Sequence, residues 1–185
     1  VPRVRIQTFQ GSIPTFRYDE TVSYQIENGT RNNFIVALIA ESIKQGRKII
    51  CLTKRVSHYQ TLVSLLQAQG TSDGIVICNS DEKREARKDK MNRLKISSDY
   101  KVVFGTFSIL STGTDIPSAD MLLIAGDLKS SVLARQSVGR ILRIFEGKPN
   151  PVIIDIYDTG NPIFRRQGKL RQQLYSKLGW EIQYV

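Results

Sequence analysis

The chain has 185 residues, enough for one domain whose core needs no disulfide or metal to hold it. Hydrophobic residues make up 41% and charged residues 24%, a globular balance, while a formal net charge of +10 favours a polyanionic partner. Nucleic acid is preferred over membrane: no basic amphipathic helix stands out, and the longest apolar run, Phe34 to Ala40, is too short to span a bilayer.

The first thirty residues open with Val4 to Thr8, which alternates like an edge strand, and continue irregularly. Phe34, Leu38, Ile39 and Ile43 then recur at helical spacing, and Gly46 marks a stop. Lys48 to Thr53 is expected to be a buried strand. Val56, Tyr59, Leu62, Val63 and Leu66 give a second helix ending at Gly70. A strand over Ile75 to Asn79 leads to a highly charged helix from Ser80 to about Ile96, with Ser80 as cap and Asp81 and Glu82 in its first turn. Lys101 to Gly105, Met121 to Ala125 and Pro151 to Tyr157 supply three more strands, and helices are expected over Val132 to Ile141 and Ile163 to Leu178.

Short apolar strands alternating with helices imply an α/β fold with a parallel sheet covered on both faces. Ligands of such sheets bind beyond the carboxyl ends of the strands. Cys51 and Cys78 each sit in an apolar run, so buried free thiols and a reducing, intracellular setting are expected. His58 is the one histidine, which leaves no His-based metal site or His–carboxylate triad. No signal peptide is visible, and a chain that begins with valine is expected to be a piece of a longer one, with residues 1–30 leading in from an N-terminal domain and 31–185 forming the domain proper.

The most informative stretch is Gln136-Ser137-Val138-Gly139-Arg140-Ile141-Leu142-Arg143. Two arginines three apart share one helix face, and their fork-shaped donors suit a polyphosphate. Gly139 directly before them permits a tight approach. Yet the chain holds no G-x-x-x-x-G-K-[ST] loop to cradle that phosphate. Upstream, the strand Lys101 to Gly105 delivers Thr106 and then Thr112-Gly113-Thr114-Asp115-Ile116-Pro117, a polar loop with a glycine, a carboxylate and a rigid proline.

Three stretches in this order resemble the second RecA-like domain of superfamily 2 helicases. Ile49 to Arg55 resembles motif IV, Thr106 to Pro117 motif V, and Gln136 to Arg143 motif VI. Ser111-Thr112-Gly113, the lead-in Leu128 to Ser131 and the tail Ile154 to Asp158 are similar to the UvsW, XPB-like and poxvirus transcript-release group of DNA-dependent helicases. The resemblance covers roughly Arg31 to Tyr175. It implies a RecA-like sheet sandwiched by helices, acting as the C-terminal motor half of an ATP-dependent DNA helicase or translocase. Arg143 takes the place of the arginine finger, with Arg140 as its phosphate-contacting partner. Gly113, Asp115, Gln136 and Gly139 are implied to bind nucleotide, and Thr53, Lys54, Arg55, Thr106 and Thr112 to touch the nucleic-acid backbone. ATP and Mg²⁺ would be held mainly by an N-terminal twin domain carrying the phosphate loop. A double-strand translocase that does not separate strands, and a non-catalytic nucleic-acid-binding module, are the alternatives.

Two other charged stretches are given simpler readings. Asp81-Glu82-Lys83-Arg84 looks like a magnesium-binding D-E-x-x box, but it runs into alternating charges that mark a solvated helix with surface ion pairs. Arg165, Arg166, Lys169 and Arg171 form either a DNA-facing stripe or a solvated helix face. Trp180 and Tyr184 are expected to pack.

Overall fold

The computed structural model describes residues 1–79, 81–108, 116–128, 139 and 146–185. The described elements are β1 (Arg3–Phe9), α1 (Tyr18–Glu27), α2 (Gly29–Lys44), β2 (Ile49–Thr53), α3 (Val56–Ala68), β3 (Ile75–Cys78), α4 (Arg84–Ile96), β4 (Val102–Thr106), β5 (Met121–Ile124), β6 (Val152–Asp158), α5 (Pro162–Lys177) and β7 (Glu181–Tyr184). The strands form one seven-stranded sheet in the order β3-β4-β2-β5-β6-β1-β7. Every pairing is parallel. This is the α/β architecture implied by the motifs, a parallel sheet sandwiched by helices.

Both faces of the sheet are covered, which is why its central strands are mostly apolar. On one face Ile35, Val36 and Ile39 of α2 and Tyr59, Leu62 and Leu66 of α3 pack on Ile49, Cys51, Val102, Phe104, Met121 and Leu123. On the other, Leu94 of α4 and Leu174 and Tyr175 of α5 pack with Ile50, Leu52, Val103, Leu122 and Ile153. Alternate residues of one strand therefore serve opposite layers. Each wholly buried aliphatic side chain contributes about 1.5–3 kcal/mol of transfer free energy. A smaller cluster of Ile13, Val22, Ile26 and Phe164 seats α1.

Several expectations need correction. The opening strand is not at an edge: β1 lies between β6 and β7, with Ile6 paired to Asp155 and Tyr184. The stretch after it is not irregular, since Tyr18–Glu27 is a helix. The charged helix starts at Arg84, so Asp81 and Glu82 precede it rather than stabilise its first turn. Glu82 instead pairs with Lys90, whose ammonium also donates to the Ile77 carbonyl at 2.7 Å. Arg171 is buried, not part of a solvated face. Trp180 does pack, stacked on Tyr175 with ring centres 5.8 Å apart, but Tyr184 is exposed. The helix expected over Val132 to Ile141 lies outside the described residues, apart from Gly139, which is helical.

Cys51 and Cys78 are free and buried. Burial pushes both thiols up, Cys78 to about 11, so neither is a ready nucleophile.

Candidate nucleotide and nucleic-acid interface

The candidate site lies at the carboxyl edge of the sheet, where β2, β4 and β5 release their loops. Thr53 and Thr106 end β2 and β4 as register partners. Thr53 is wholly buried, and its hydroxyl donates to the Arg55 carbonyl at 3.0 Å. This bond closes the turn that starts α3 and holds the Thr53 hydroxyl on its own turn. Thr106 is nearly buried, and its hydroxyl shares a 3.1 Å hydrogen bond with Ser108.

Lys54 is exposed, with its ammonium 5.9 Å from the centre of the Tyr18 ring. Arg55 precedes the first residue of α3 and reaches across to α1. Its guanidinium donates to Ser23 Oγ at 2.8 Å and to the Asp19 carbonyl at 3.1 Å, with the Asp19 carboxylate 3.6 Å away. Arg55 therefore ties α1 to the end of β2, with part of its side chain still open to solvent.

The lead-out of β5 is held at four successive residues. The Ala125 carbonyl accepts from Arg31 Nη2 at 2.7 Å. Gly126 lies against the Lys54 backbone so closely that a Cβ there would sit 2.7 Å from Lys54 N. The Asp127 carboxylate accepts from the Tyr18 hydroxyl at 2.5 Å. Burial, followed by that hydrogen bond, raises the Tyr18 phenol well above its ordinary range, so it stays a donor. The Leu128 carbonyl accepts from Arg171 at 3.3 Å.

Two buried ion pairs stand behind these contacts. Arg31 meets Asp158 through Nε at 2.6 Å and Nη2 at 2.9 Å, and Gln25 donates to the same carboxylate at 2.8 Å. Arg171 meets Asp155 at 2.8 and 2.7 Å, with the Tyr175 hydroxyl donating to Asp155 at 2.8 Å. Burial works against the Arg171 charge, but the Asp155 carboxylate outweighs it and holds the guanidinium firmly protonated. Nearby, His58 is buried and pairs through Nε2 with Asn32 Oδ1 at 3.1 Å. Burial, with Arg31 adding to it, pushes the imidazole down to about 3, so the ring is neutral.

Of the residues expected at the site, the structure brings Thr53, Lys54, Arg55 and Thr106 to this edge. Gly139 is helical and exposed. Thr112, Gly113, Asp115, Gln136, Arg140 and Arg143 lie outside the described residues. Sequence reasoning missed Tyr18, Gln25, Arg31 and the structural part played by Asp155 and Asp158. A carboxylate amid the isoleucines of Ile153 to Ile156 was the one available signal, because an ionised group in a buried strand requires a partner.

An all-parallel sheet covered by helices on both faces, with polar loops at its carboxyl edge, is the RecA-like fold of helicase C-terminal domains. The chain belongs to the helicase conserved C-terminal domain family, whose pattern it matches over residues 30–145. It is 32% identical over 153 residues to the putative ATP-dependent RNA helicase L396 of Acanthamoeba polyphaga mimivirus, covering 83% of this chain and 28% of that protein. It is 21% identical over 142 residues to the ATP-dependent DNA helicase uvsW of Enterobacteria phage T4, covering 77% and 28% respectively. The crystal structure of T4 UvsW superimposes with a TM-score of 0.76 at 16% identity, covering 99% of this chain and 41% of that one. The chain thus spans less than a third of either relative. No described helix is long and apolar enough to cross a membrane.

Proposed function

We propose that this chain is the C-terminal motor domain of an ATP-dependent DNA helicase or translocase, completing an ATP site shared with an N-terminal RecA-like domain of the same protein. The observation that carries the reading is the common edge: the Thr53–Arg55 turn, Thr106 and the Ala125–Leu128 lead-in to the arginine stretch all leave one side of one sheet. Lys54, with Thr106, Arg55 and Thr112, supplies sequence-independent contacts to the strand. Thr53 supports them from beneath. Such contacts weaken with salt, in keeping with the net charge of +10.

Arg140 and Arg143 act on the phosphates across the cleft, with Gln136, Gly113, Asp115 and Gly139 on the nucleotide. The donor set fits a polyphosphate: two guanidiniums and an amide are permanent donors, and Gly139 beside them is exposed. It is a poor set for a cation, so Mg²⁺ would sit on the phosphates and the partner domain, where it offsets their negative charge. Closure of the two domains brings the arginines to the transferred phosphoryl group, and opening after hydrolysis moves the strand-holding edge along DNA. DNA is preferred over RNA on the signature around Ser111-Thr112-Gly113, and the relatives' names include both kinds of helicase.

Residues 1–185 alone are expected to hydrolyse ATP at background rate, because the phosphate-holding half is elsewhere. Phosphate release by the isolated domain and by the full-length protein, each with and without DNA, tests this. Vigorous turnover by the isolated domain would refute the shared-site reading.

A further inference from the structure

The contacts on Ala125–Leu128 have a use beyond holding the fold together. This segment ends eight residues before Gln136, and every one of its four residues is gripped from a different place. Arg31 of α2 holds the first carbonyl, Lys54 abuts Gly126, Tyr18 of α1 holds Asp127, and Arg171 of α5 holds the last carbonyl. Three grips come from helices, and the residues they hold are buried. The fourth comes from the exposed Lys54 loop.

Gly126 is the place where that loop and the lead-in touch. An added Cβ would lie 2.7 Å from Lys54 N and 3.2 Å from Lys54 Cβ, so the obstacle is backbone rather than a flexible side-chain tip. Lys54 also has its ammonium over the Tyr18 ring, and Tyr18 donates to Asp127 one residue further on. A displacement of the Lys54 loop is therefore felt at Gly126 directly and at Asp127 through Tyr18.

We propose that Gly126 is a positioning residue that couples nucleic-acid contact at Lys54 to the Ala125–Leu128 lead-in of the arginine stretch, and so to ATP turnover, with the Tyr18–Asp127 hydrogen bond as its second strut. The inference rests on the functional reading above. A strand seated on Lys54 sets the Lys54 backbone, and the Lys54 backbone sets Gly126 within the segment that precedes the arginine stretch in the chain. Close packing transmits the displacement because Gly126 has no room on the side that faces the Lys54 backbone. The glycine is required for contact rather than for backbone conformation, since it is absent from the positions with positive φ.

The test uses the full-length protein and compares ATP turnover with and without a DNA oligonucleotide, together with DNA affinity by fluorescence anisotropy. Gly126→Ala should lower the DNA-stimulated rate by about tenfold while basal turnover and DNA affinity stay within about threefold of the parent. Gly29→Ala, which adds the same methyl group to open space, should leave all three readings unchanged. Tyr18→Phe, which deletes the second strut without adding volume, should reduce stimulation by about threefold with DNA affinity retained. It decides the question alone if the Gly126 variant does not fold. Full stimulation in both variants, or parallel loss of basal and stimulated turnover, would overturn the coupling role. Absence of DNA stimulation in the parent protein would overturn the functional reading itself, so the two failures are distinct.

Discussion

Arg31 and Asp158 meet through two hydrogen bonds of 2.6 and 2.9 Å, and the arginine has no exposure to solvent. The pair joins α2 to the end of β6, and the same guanidinium holds the Ala125 carbonyl at the end of β5. An isolated charge at this depth would be intolerable, so each partner makes the other possible. Removing one partner, as in Arg31→Ala or Asp158→Ala, is expected to cost about 3–5 kcal/mol. Removing both should cost less than the sum of the single losses by about 1–3 kcal/mol. Urea denaturation of the two single variants and the double variant measures this. Strict additivity would show that the two groups act independently.

His58 gives the fold a dependence on mild acid. Burial, reinforced by Arg31, holds the folded-state imidazole at about 3, below the ordinary value of 6.5. The unfolded chain takes up the proton first as pH falls. The contribution of the neutral ring is therefore complete above about pH 6.5 and is lost progressively from there toward about pH 3. Between pH 7 and pH 5 the loss should be about 2 kcal/mol. Urea midpoints at the two pH values should show this loss in the parent chain and a much smaller one in His58→Gln. Equal losses in both would place the acid sensitivity elsewhere.

Two glycines should respond oppositely to one methyl group. Gly160 passes Gly11 so closely that an added Cβ would lie 2.0 Å from the Gly11 carbonyl oxygen. Both glycines lie in the loops that follow β1 and β6, adjacent strands of the sheet. Gly160→Ala should therefore destabilise the domain by about 3 kcal/mol. Gly29 opens α2 and has open space around its Cβ position. Gly29→Ala should be neutral or stabilising by about 0.5 kcal/mol. Thermal melts of the two variants check the sign of each effect.

These residues also show how far the sequence could be read. The strands from β2 to β6 were legible because a parallel sheet covered on both faces needs continuous apolar runs, as in Ile49-Ile50-Cys51-Leu52. The helix stops at Gly46 and Gly70 were legible because both glycines take positive φ, which they adopt freely. The interior place of β1 was not, since its partners Val152–Asp158 and Glu181–Tyr184 lie at the far end of the chain. Nor was the burial of Arg31 and Arg171. An arginine in a helix looks alike whether it faces water or a buried carboxylate, and Arg171 closes a run of basic residues on α5 whose other members are outward-facing. The local bond of Thr53 was not legible either, because its hydroxyl is spent on the backbone of its own turn.

The central claim is that the arginine stretch works on a nucleotide held by a neighbouring domain, and Arg143→Ala in the full-length protein tests it most directly. DNA-stimulated ATP turnover should fall by about 10³-fold or more, while DNA affinity measured by anisotropy stays near that of the parent. Turnover unchanged by the substitution would contradict the claim and favour a nucleic-acid-binding module without chemistry of its own.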